Sequence, residues 1–471
     1  MHRPSYDELL EVVAELREQL AERDRRISEL TRRVGELEAL VDDVRRGGKR
    51  QAAPFSRGEP KADPKPPGRK PGGQYGRQAV RAAPKRVDEW VSVQCPLWCP
   101  SCHGRVRVKG KATQYQIDIP RIRPWTTGFE IQVGECGECG CRVQGRDPRQ
   151  TSNAVTVGTV QLGPGVIAFA AYLNKVGGMS YGKIASLLKE LVGLEVARSA
   201  LCRALARLAR RAEPTYEALV QKVRASPIVY PDETGWREGG RSAWLWAHAT
   251  PSATVYSIER GRGYAEAAKI LGADYAGIIG ADGWAPYRLF RHATLQTCLA
   301  HLLRRCDEML ETATRGGVRF PRKIKTILKD ALELRDRRDA RQISPHGLRV
   351  AKGRLEARMG RALCARITNA ANRRFAKHLT RYEDALFVFL DRPELEATNW
   401  PAEHAIRPAV VNRKSCGGNR TQRGARTQAV LMSLLRTCHQ QGHSVIRLLT
   451  KMLREPTPRP QRLLLPSYCG W

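Results

Sequence analysis

The order of strands and acidic residues between positions 226 and 301 constrains the fold of this chain more than any other feature. "SPIVYPDETGW" predicts a short apolar strand ending at Asp232, and "RSAWLWAHAT" and "ATVYSIER" predict two more strands of an antiparallel meander. A helical stretch near 264–271 follows, and "AGIIGADGWAPY" predicts a fourth strand ending at Asp282. "HATLQTCLAHLLRR" predicts a fifth strand that passes into a helix near His301. One aspartate therefore stands at the end of the first strand and one at the end of the fourth.

This is the element order of a ribonuclease H-like fold, in which the first and fourth strands lie side by side. Asp232 and Asp282 would then meet across the sheet, where two like charges repel each other unless a cation lies between them. Clustered carboxylates that hold two Mg²⁺ or Mn²⁺ ions are the machinery of in-line phosphoryl transfer, one ion activating the attacking oxygen and the other stabilising the leaving oxygen. Such a site needs a third carboxylate from another element.

Glu403 is the candidate for that third carboxylate. It is the last acidic residue before His404–Arg454, a stretch with ten Lys or Arg and no Asp or Glu. Asn399 predicts a helix N-cap with Pro401 tolerated in the first turn, so Glu403 would project from that turn toward the aspartates. Pro408 is expected to limit or kink the helix. The alternative interpretation is that Glu403 is a solvated surface charge.

Other residues near these positions are weaker candidates. Glu233 neighbours Asp232, but consecutive side chains on a strand point to opposite faces, and Asp274 precedes the fourth strand instead of ending it. His301 is interpreted either as a phosphate contact that supports the site or as a capping or packing residue. The Arg-, Leu- and Ala-rich run at about 304–395 predicts a helical insertion within a catalytic domain at 225–454.

A cysteine cluster marks a separate module at 88–150. "CPLWCPSCHG" and "GECGECGC" each contain a C-x-x-C pair, and two such pairs can supply four thiolates to one tetrahedral, structural zinc ion. The intervening "RVRVKGKATQYQIDIP" and "FEIQVGE" alternate like strands, so the module resembles a zinc ribbon. The alternative is that the cysteines bind no metal. The predicted zinc ligands are Cys99, Cys102, Cys136 and Cys139, with Cys95 and Cys141 as possible replacements.

The N-terminal segment, residues 1–46, has the pattern of a coiled coil. Ser5 and Glu8 have the spacing of a capping box, and apolar residues then recur in alternating steps of four and three. One helix cannot bury so narrow a stripe, which predicts a homo-oligomer or, alternatively, a partner within the chain. A basic Pro- and Gly-rich linker follows at 47–87. The stripe comprises Leu9, Val13, Leu16, Leu20, Arg23, Ile27, Leu30, Val34, Leu37, Val41 and Val44.

Residues 151–224 are expected to be helical. An amphipathic helix at about Ser180–Leu191, a turn at Gly193 and an arginine-rich helix at about Ala197–Arg211 have helix-turn-helix spacing, which is typical of DNA binding. The alternative is a helical hairpin whose charges face solvent. Residues 455–471 are interpreted as a C-terminal tail.

The net charge of the chain favours a polyanion as its partner. Lys and Arg outnumber Asp and Glu by 81 to 47, which gives a charge of +34 and a pI near 10.2. The longest apolar run, Val166–Leu173, is too short to span a bilayer, and the N-terminus lacks an apolar signal segment. Thirteen cysteines in such a chain indicate reduced thiols. We therefore expect a cytoplasmic, nucleoid-associated protein that binds DNA and no membrane.

Over nearly its whole length the chain resembles the insertion-sequence 66 type of DDE transposase. The most specific motifs are "DETGW", "WLW", "ADGWAPY", "CLAHLLRR" and "NWPAEHAIRPAVVNRKS". The resemblance implies that Asp232, Asp282 and Glu403 form the catalytic triad. Trp400 and His404 depart from the family's usual asparagine and arginine, and Trp284 stands where tyrosine is common.

The resemblance also implies an activity and partners. The expected reaction is cutting at the ends of an insertion sequence and joining of the freed 3′-hydroxyl to target DNA, with helper proteins encoded by the same element. A metal-dependent nuclease that cuts without joining and a DNA-binding regulator with a decayed core are the alternatives. The predicted fold class is a multidomain chain of α+β and α/β type, in which a coiled coil, a zinc module and a helical domain precede the ribonuclease H-like domain.

Overall fold

A computed structural model describes residues 6–47, 82–155, 160–313, 315–455 and 457–461. Most of the predicted linker lies outside these ranges, as do Ser5 of the predicted capping box and most of the predicted C-terminal tail. The described chain is a mixed α+β structure. No helix within the described ranges is both long and apolar enough to cross a membrane.

The N-terminal segment forms one uninterrupted helix, α1 (Tyr6–Gly47), which confirms the helix predicted from the stepped apolar pattern. Between Val13 and Leu37 its apolar stripe is exposed, from 43% at Val13 to 59% at Ile27. A stripe that is half exposed in a single chain contributes little to folding, because apolar surface stabilises only when it is removed from water. The pairing of this helix with another copy stays a prediction.

The cysteine-containing segment divides between two compact units, residues 52–125 and the remainder of the chain. In the first unit, "RVRVKGKATQYQIDIP" has no extended ladder, so the strands predicted there are wrong. Alternating apolar residues form strands only where one face is buried, and Ile117 and Ile119 are 76% and 79% exposed. In the second unit, β1 (Val133–Glu135) pairs antiparallel with β2 (Arg142–Gln144), so the end of "FEIQVGE" is a strand as predicted.

Three helices precede the sheet: α2 (Pro164–Lys175), α3 (Tyr181–Leu187, continued by a π-helical turn to Val192) and α4 (Arg198–Arg224). The Ser180 hydroxyl accepts a hydrogen bond from the Lys183 N–H and begins α3, as the sequence predicted. The predicted end of α4 at Arg211 is wrong, because the helix runs 13 residues further through Pro214. Its apolar stripe continues past the proline and is buried at Tyr216, Leu219, Val220 and Val223.

A five-stranded sheet follows, in the order β5-β4-β3-β6-β7. Strands β3, β4 and β5 form an antiparallel meander, whereas β6 pairs parallel with both β3 and β7. Helix α5 (Tyr264–Leu271) lies between β5 and β6, where it was predicted. The adjacency predicted for the first and fourth strands is confirmed. The strands are β3 (Ile228–Glu238), β4 (Arg241–Ala249), β5 (Thr254–Glu259), β6 (Ile278–Ala281) and β7 (Thr294–Thr297).

Five helices fill the predicted insertion and its approach, and the described part of residues 304–395 contains no strand. Their buried side chains, among them Ile324, Leu328, Met359 and Phe375, form one hydrophobic cluster that reaches β3 at Ile228. The helical interpretation of this segment is confirmed. The helices are α6 (Leu299–Thr312), α7 (Arg319–Asp339), α8 (Pro345–Leu363), α9 (Ala370–Arg381) and α10 (Val388–Asp391).

Three C-terminal helices complete the fold: α11 (Trp400–Cys416), α12 (Gln422–Gln440) and α13 (Val445–Arg454). Pro408 does not end α11, which continues for two more turns beyond it. A second hydrophobic cluster joins α2 and α4 to the sheet and to α12, so residues on both sides of position 225 share it. The Thr437 hydroxyl of α12 donates to the Thr254 carbonyl of β5 at 3.1 Å. Helix α12 is thereby fixed to the edge of the sheet.

Candidate active site

Asp232 and Asp282 lie on the neighbouring parallel strands β3 and β6. Val229 is paired with Ile279, and each aspartate stands three residues beyond its paired residue. Asp282 directly follows the last residue of β6, as predicted. Asp232 does not end β3, because the strand continues to Glu238 through its antiparallel pairing with β4. The parallel pairing of β3 with β6 ends before Asp232. The Asp232 carboxylate therefore lies where these two strands separate.

The environment of Asp232 disfavours its negative charge. Burial, followed by the charges of Glu233 and Asp282, raises the pKa of Asp232 from its ordinary value of 3.8 to about 7, and Glu403 adds to the shift. Nearby like charges and removal from water both favour the protonated form of a carboxylate. The pKa shift shows that three other acidic side chains act on Asp232 at once.

Glu403 lies in the first turn of α11, as predicted, and is 46% exposed. Asn399 is the N-cap residue of α11, as predicted, and its carbonyl accepts from the Glu403 N–H at 3.1 Å, but its side chain makes no cap hydrogen bond. Instead, the Asn399 Nδ2 group donates to the Pro231 carbonyl at 3.1 Å, and its backbone N–H donates to the Cys298 thiol at 3.1 Å. Asn399 thus attaches the start of α11 to the residue before Asp232, which brings Glu403 toward the aspartates.

A histidine and an asparagine lie close to Glu403. The His301 Nε2 atom lies 3.8 Å from the Glu403 Oε1 atom. The neighbouring Cys298 thiol, together with Asp282 and Glu403, raises the pKa of His301, although burial opposes the shift. Within the described residues the Asn399 Oδ1 atom is buried without a hydrogen-bond partner. His301 is therefore a direct neighbour of Glu403, and its role as a phosphate contact or a packing residue stays a prediction.

Glu233 lies near the other carboxylates but has hydrogen-bond partners of its own. Its Oε1 atom accepts a 2.7 Å hydrogen bond from Arg262, and its Oε2 atom accepts one of 3.1 Å from the Tyr287 hydroxyl. Burial raises the pKa of Glu233, whereas Arg262 opposes that shift. The other alternative, Asp274, is exposed in the turn before β6. Arg262 was not singled out from the sequence because it stands in no recognisable motif, whereas Tyr287 closes the motif "ADGWAPY" but was given no role there.

Several cations surround the exposed side of α11 next to Glu403. The Arg436 guanidinium of α12 donates to the His404 Nδ1 atom at 2.8 Å, and the Trp400 ring lies 5.9 Å from the His404 ring. Burial, Arg436, His439 and Arg407 together lower the pKa of His404. Because arginine can only donate, the Nδ1 atom of His404 is the acceptor and its Nε2 atom carries the proton. Arg436 is one of the ten basic residues counted after Glu403 in the sequence, but its contact with His404 could not be predicted because it comes from a different helix.

Each predicted zinc-binding pair lies in a tight turn. The Cys99 carbonyl accepts from the His103 N–H at 2.9 Å, and the Cys136 carbonyl accepts from the Gly140 N–H at 2.9 Å. Hydrogen bonds from the backbone of Ser101 lower the pKa of Cys99, and those from Cys139 lower the pKa of Cys136. Thiolates are the metal-binding form of cysteine, so the chemistry of both turns suits zinc.

The carboxylates of the site are not closed around an ion. In the described ranges no three His, Cys, Asp or Glu side chains lie close enough to enclose a metal as they stand. The residues that could hold Mg²⁺ are Asp232, Asp282 and Glu403, whose carboxylate oxygens are the hard ligands this ion prefers. The unpaired Asn399 Oδ1 atom offers one further oxygen beside β3. Both the magnesium site and the zinc site stay predictions.

The sequence of this chain matches a known protein family. The model of the Transposase IS66 family matches residues 159–427, which include all three carboxylates. Two curated proteins of Sinorhizobium fredii (strain NBRC 101917 / NGR234) are also similar. Uncharacterized protein y4qI is 28% identical over 53% of this chain and 51% of its own length. Uncharacterized protein y4jD is 26% identical over 49% of this chain and 50% of its own length.

The chain therefore spans about half the length of these curated relatives, whose names carry no activity. The family model covers more than half of the chain, from the start of the helical region to α12. The strand order, the positions of the aspartates and the helix that bears Glu403 all fall within the matched residues. The chain belongs to the Transposase IS66 family.

Proposed function

We propose that this protein is a DNA transposase that cuts the ends of an insertion sequence and joins them to target DNA. The observation that carries the proposal is the parallel pairing of β3 with β6, which brings Asp232 and Asp282 to neighbouring positions. The hydrogen bond from Asn399 to Pro231 supports the approach of Glu403 to the same place. Membership of the Transposase IS66 family supports the reaction class. The domain around this sheet is proposed to be ribonuclease H-like.

In the proposed mechanism Asp232, Asp282 and Glu403 hold two divalent ions, Mg²⁺ or Mn²⁺. When bound, such ions stabilise charge on the attacking and leaving oxygens of a phosphodiester. The protein's own residues position the reacting groups: Asn399 fixes α11 to β3, and His301 contacts Glu403. The cations next to Glu403, including Arg407 and Arg436, would bind phosphates that flank the scissile bond.

The remaining parts of the chain are proposed to serve DNA binding and assembly. Helices α3 and α4 would contact the transposon ends as a helix-turn-helix, and α1 would pair with a second copy so that two ends can be held together. Cys99, Cys102, Cys136 and Cys139 would bind a structural zinc ion, which the zinc content of the purified protein tests. Helper proteins of the same element are proposed as additional partners.

The experiment uses labelled DNA that contains the insertion-sequence end, an unlabelled target plasmid and Mg²⁺. The wild-type chain should produce both cleaved ends and strand-transfer products. Asp232→Asn, Asp282→Asn and Glu403→Gln should each lower both products at least about a thousandfold, because the ions supply several kcal/mol of transition-state stabilisation. DNA binding, measured by gel mobility shift, should remain within a few fold.

Asp274→Asn is the matched control, because it removes an exposed carboxylate from the same part of the chain. It should cleave and join like the wild type. Cleavage without joining by the wild-type chain would favour a nuclease. DNA binding without cleavage would favour a regulator with a decayed core. Full activity in all three triad variants would show that the site is wrongly assigned.

A further inference from the structure

Arg262 lies in the segment between β5 and α5, and its guanidinium lies over two indole rings. Its Cζ atom is 4.6 Å from the centroid of the Trp244 ring and 4.2 Å from that of the Trp284 ring. The same guanidinium contacts the Glu233 carboxylate at 2.7 Å, where the Glu233 side chain is only 3% exposed. A planar cation that lies over two indole rings and is paired with a buried carboxylate has few other orientations available.

Two of the three residues contacted by Arg262, Glu233 and Trp284, also contact the two catalytic aspartates. The backbone N–H of Glu233 donates to the Asp232 Oδ1 atom at 2.9 Å, and the backbone N–H of Trp284 donates to the Asp282 Oδ1 atom at 3.0 Å. One guanidinium therefore joins the side chains of the two residues whose amides orient Asp232 and Asp282. These contacts bring together three segments: β3, the β5–α5 connection and the turn after β6.

We infer that Arg262 is a positioning residue that sets the placement of the Asp232 carboxylate relative to the Asp282 carboxylate. The inference rests on the proposed function, in which these two groups share metal ions. Tyr287 assists by donating to the second oxygen of Glu233, so both Glu233 oxygens have a partner within the protein. Arg262 acts through Glu233 and Trp284 and touches no reacting atom.

Lysine cannot reproduce this arrangement. It keeps the positive charge but lacks the planar surface that stacks on both indoles and the fork of N–H donors. Arg262→Lys should therefore preserve the neutralisation of Glu233 and lose the orientation of Trp284. Outer groups that orient metal ligands typically contribute about 10- to 100-fold in metal affinity. The effect expected for Arg262→Lys is a loss of that size in affinity for Mn²⁺.

The test measures Mn²⁺ binding to the full-length chain by electron paramagnetic resonance, together with the melting temperature without metal. Arg260→Lys is the matched control, since Arg260 lies two residues away and pairs with Glu238 at 3.0 Å, outside the site. We expect Arg262→Lys to bind Mn²⁺ about 10- to 100-fold more weakly than the wild type and Arg260→Lys to bind it with unchanged affinity. The metal-free melting temperatures of both variants should lie within a few degrees of the wild type. Wild-type affinity in Arg262→Lys, or an equal loss in both variants, would overturn it.

Asp232→Asn separates failure of the inference from failure of the proposed function. One outcome is that the wild type binds Mn²⁺, Asp232→Asn loses this binding and Arg262→Lys keeps it. In that case only the role inferred for Arg262 is wrong. If the wild type binds no Mn²⁺, or if Asp232→Asn binds like the wild type, the proposed metal site and the inference both fail. A loss in both Asp232→Asn and Arg262→Lys, with Arg260→Lys unaffected, supports both.

Discussion

Asp232 and Lys175 lie in contrasting surroundings: the acidic Asp232 is half-buried at the sheet, and the basic Lys175 is buried at the end of α2. Lys175 is 6% exposed, and its ammonium group donates to the Gln428 Oε1 atom. Asp232 instead faces the charges of Glu233, Asp282 and Glu403. Lys175 has a neutral partner, whereas Asp232 has like-charged neighbours.

The network around Lys175 is made largely of amide groups and connects three helices. Gln428 Nε2 of α12 donates to the Asn412 Oδ1 atom of α11 at 3.0 Å, and Asn412 Nδ2 donates to the Asn174 carbonyl of α2 at 2.6 Å. Such a network fixes helices while a charge remains buried. Around Asp232 the added contacts bring in more negative charge, which is suited to binding a cation. The comparison therefore separates a structural polar network from a candidate ligand site.

Asp232→Asn should have the larger effect on stability. The folded-state pKa of Asp232 is raised from 3.8 to about 7, so the folded chain binds this proton more tightly, and its contribution to stability is lost as the pH rises through about 7. The difference between these two pKa values corresponds to up to about 4 kcal/mol in the free energy of unfolding, because one pKa unit is about 1.36 kcal/mol. The substituted asparagine carries no charge, so metal-free Asp232→Asn should melt several degrees above the wild type at pH 8.

The difference in melting temperature between Asp232→Asn and the wild type should shrink as the pH falls from 8 toward 4. Asp274→Asn, which changes an exposed carboxylate, should show no such trend. A constant difference between pH 4 and pH 8 would contradict the electrostatic description of the site. Thermal unfolding monitored by circular dichroism in a metal chelator provides the measurement.

Lys175→Met should have the smaller effect, and the opposite dependence on pH. Burial lowers the pKa of Lys175 from 10.5 to about 8, so the unfolded chain binds this proton more tightly between those values. Wild-type stability should therefore rise relative to the variant from pH 8 to pH 10.5. Removing the buried charge should stabilise the folded state by up to about 3 kcal/mol below pH 8. The Gln428 oxygen then lacks its partner, which should destabilise the folded state by about 1–3 kcal/mol.

Lys183→Met is the control, because Lys183 is exposed in the first turn of α3. The melting-temperature difference between Lys175→Met and the wild type should favour the variant most below pH 8 and should diminish toward pH 10.5. The same trend in Lys183→Met would assign it to the general charge of the protein. No trend in either variant would contradict the buried, positively charged state of Lys175.

Local sequence patterns predicted the parts of the site that depend on short-range rules. The apolar run before Asp282 predicted β6, and the first turn after Asn399 predicted the position of Glu403. Patterns failed where distant segments decide the outcome. Antiparallel pairing with β4 extends β3 past Asp232, and the Asn399 side chain binds a strand 168 residues away instead of its own helix. Arg262 had no signal at all, since its partners come from β3, β4 and the turn after β6.

The central claim is that Asp232, Asp282 and Glu403 bind two divalent ions in one site. The most direct measurement is a titration of the metal-free, full-length chain with Mn²⁺, counting bound ions by electron paramagnetic resonance. We expect two bound ions per wild-type chain, with coupled spins because both would be held by the same three carboxylates. We also expect loss of that coupled signal in Asp232→Asn, Asp282→Asn and Glu403→Gln. A wild-type chain that shows no coupled pair, or a Glu403→Gln variant that retains it, would contradict the claim.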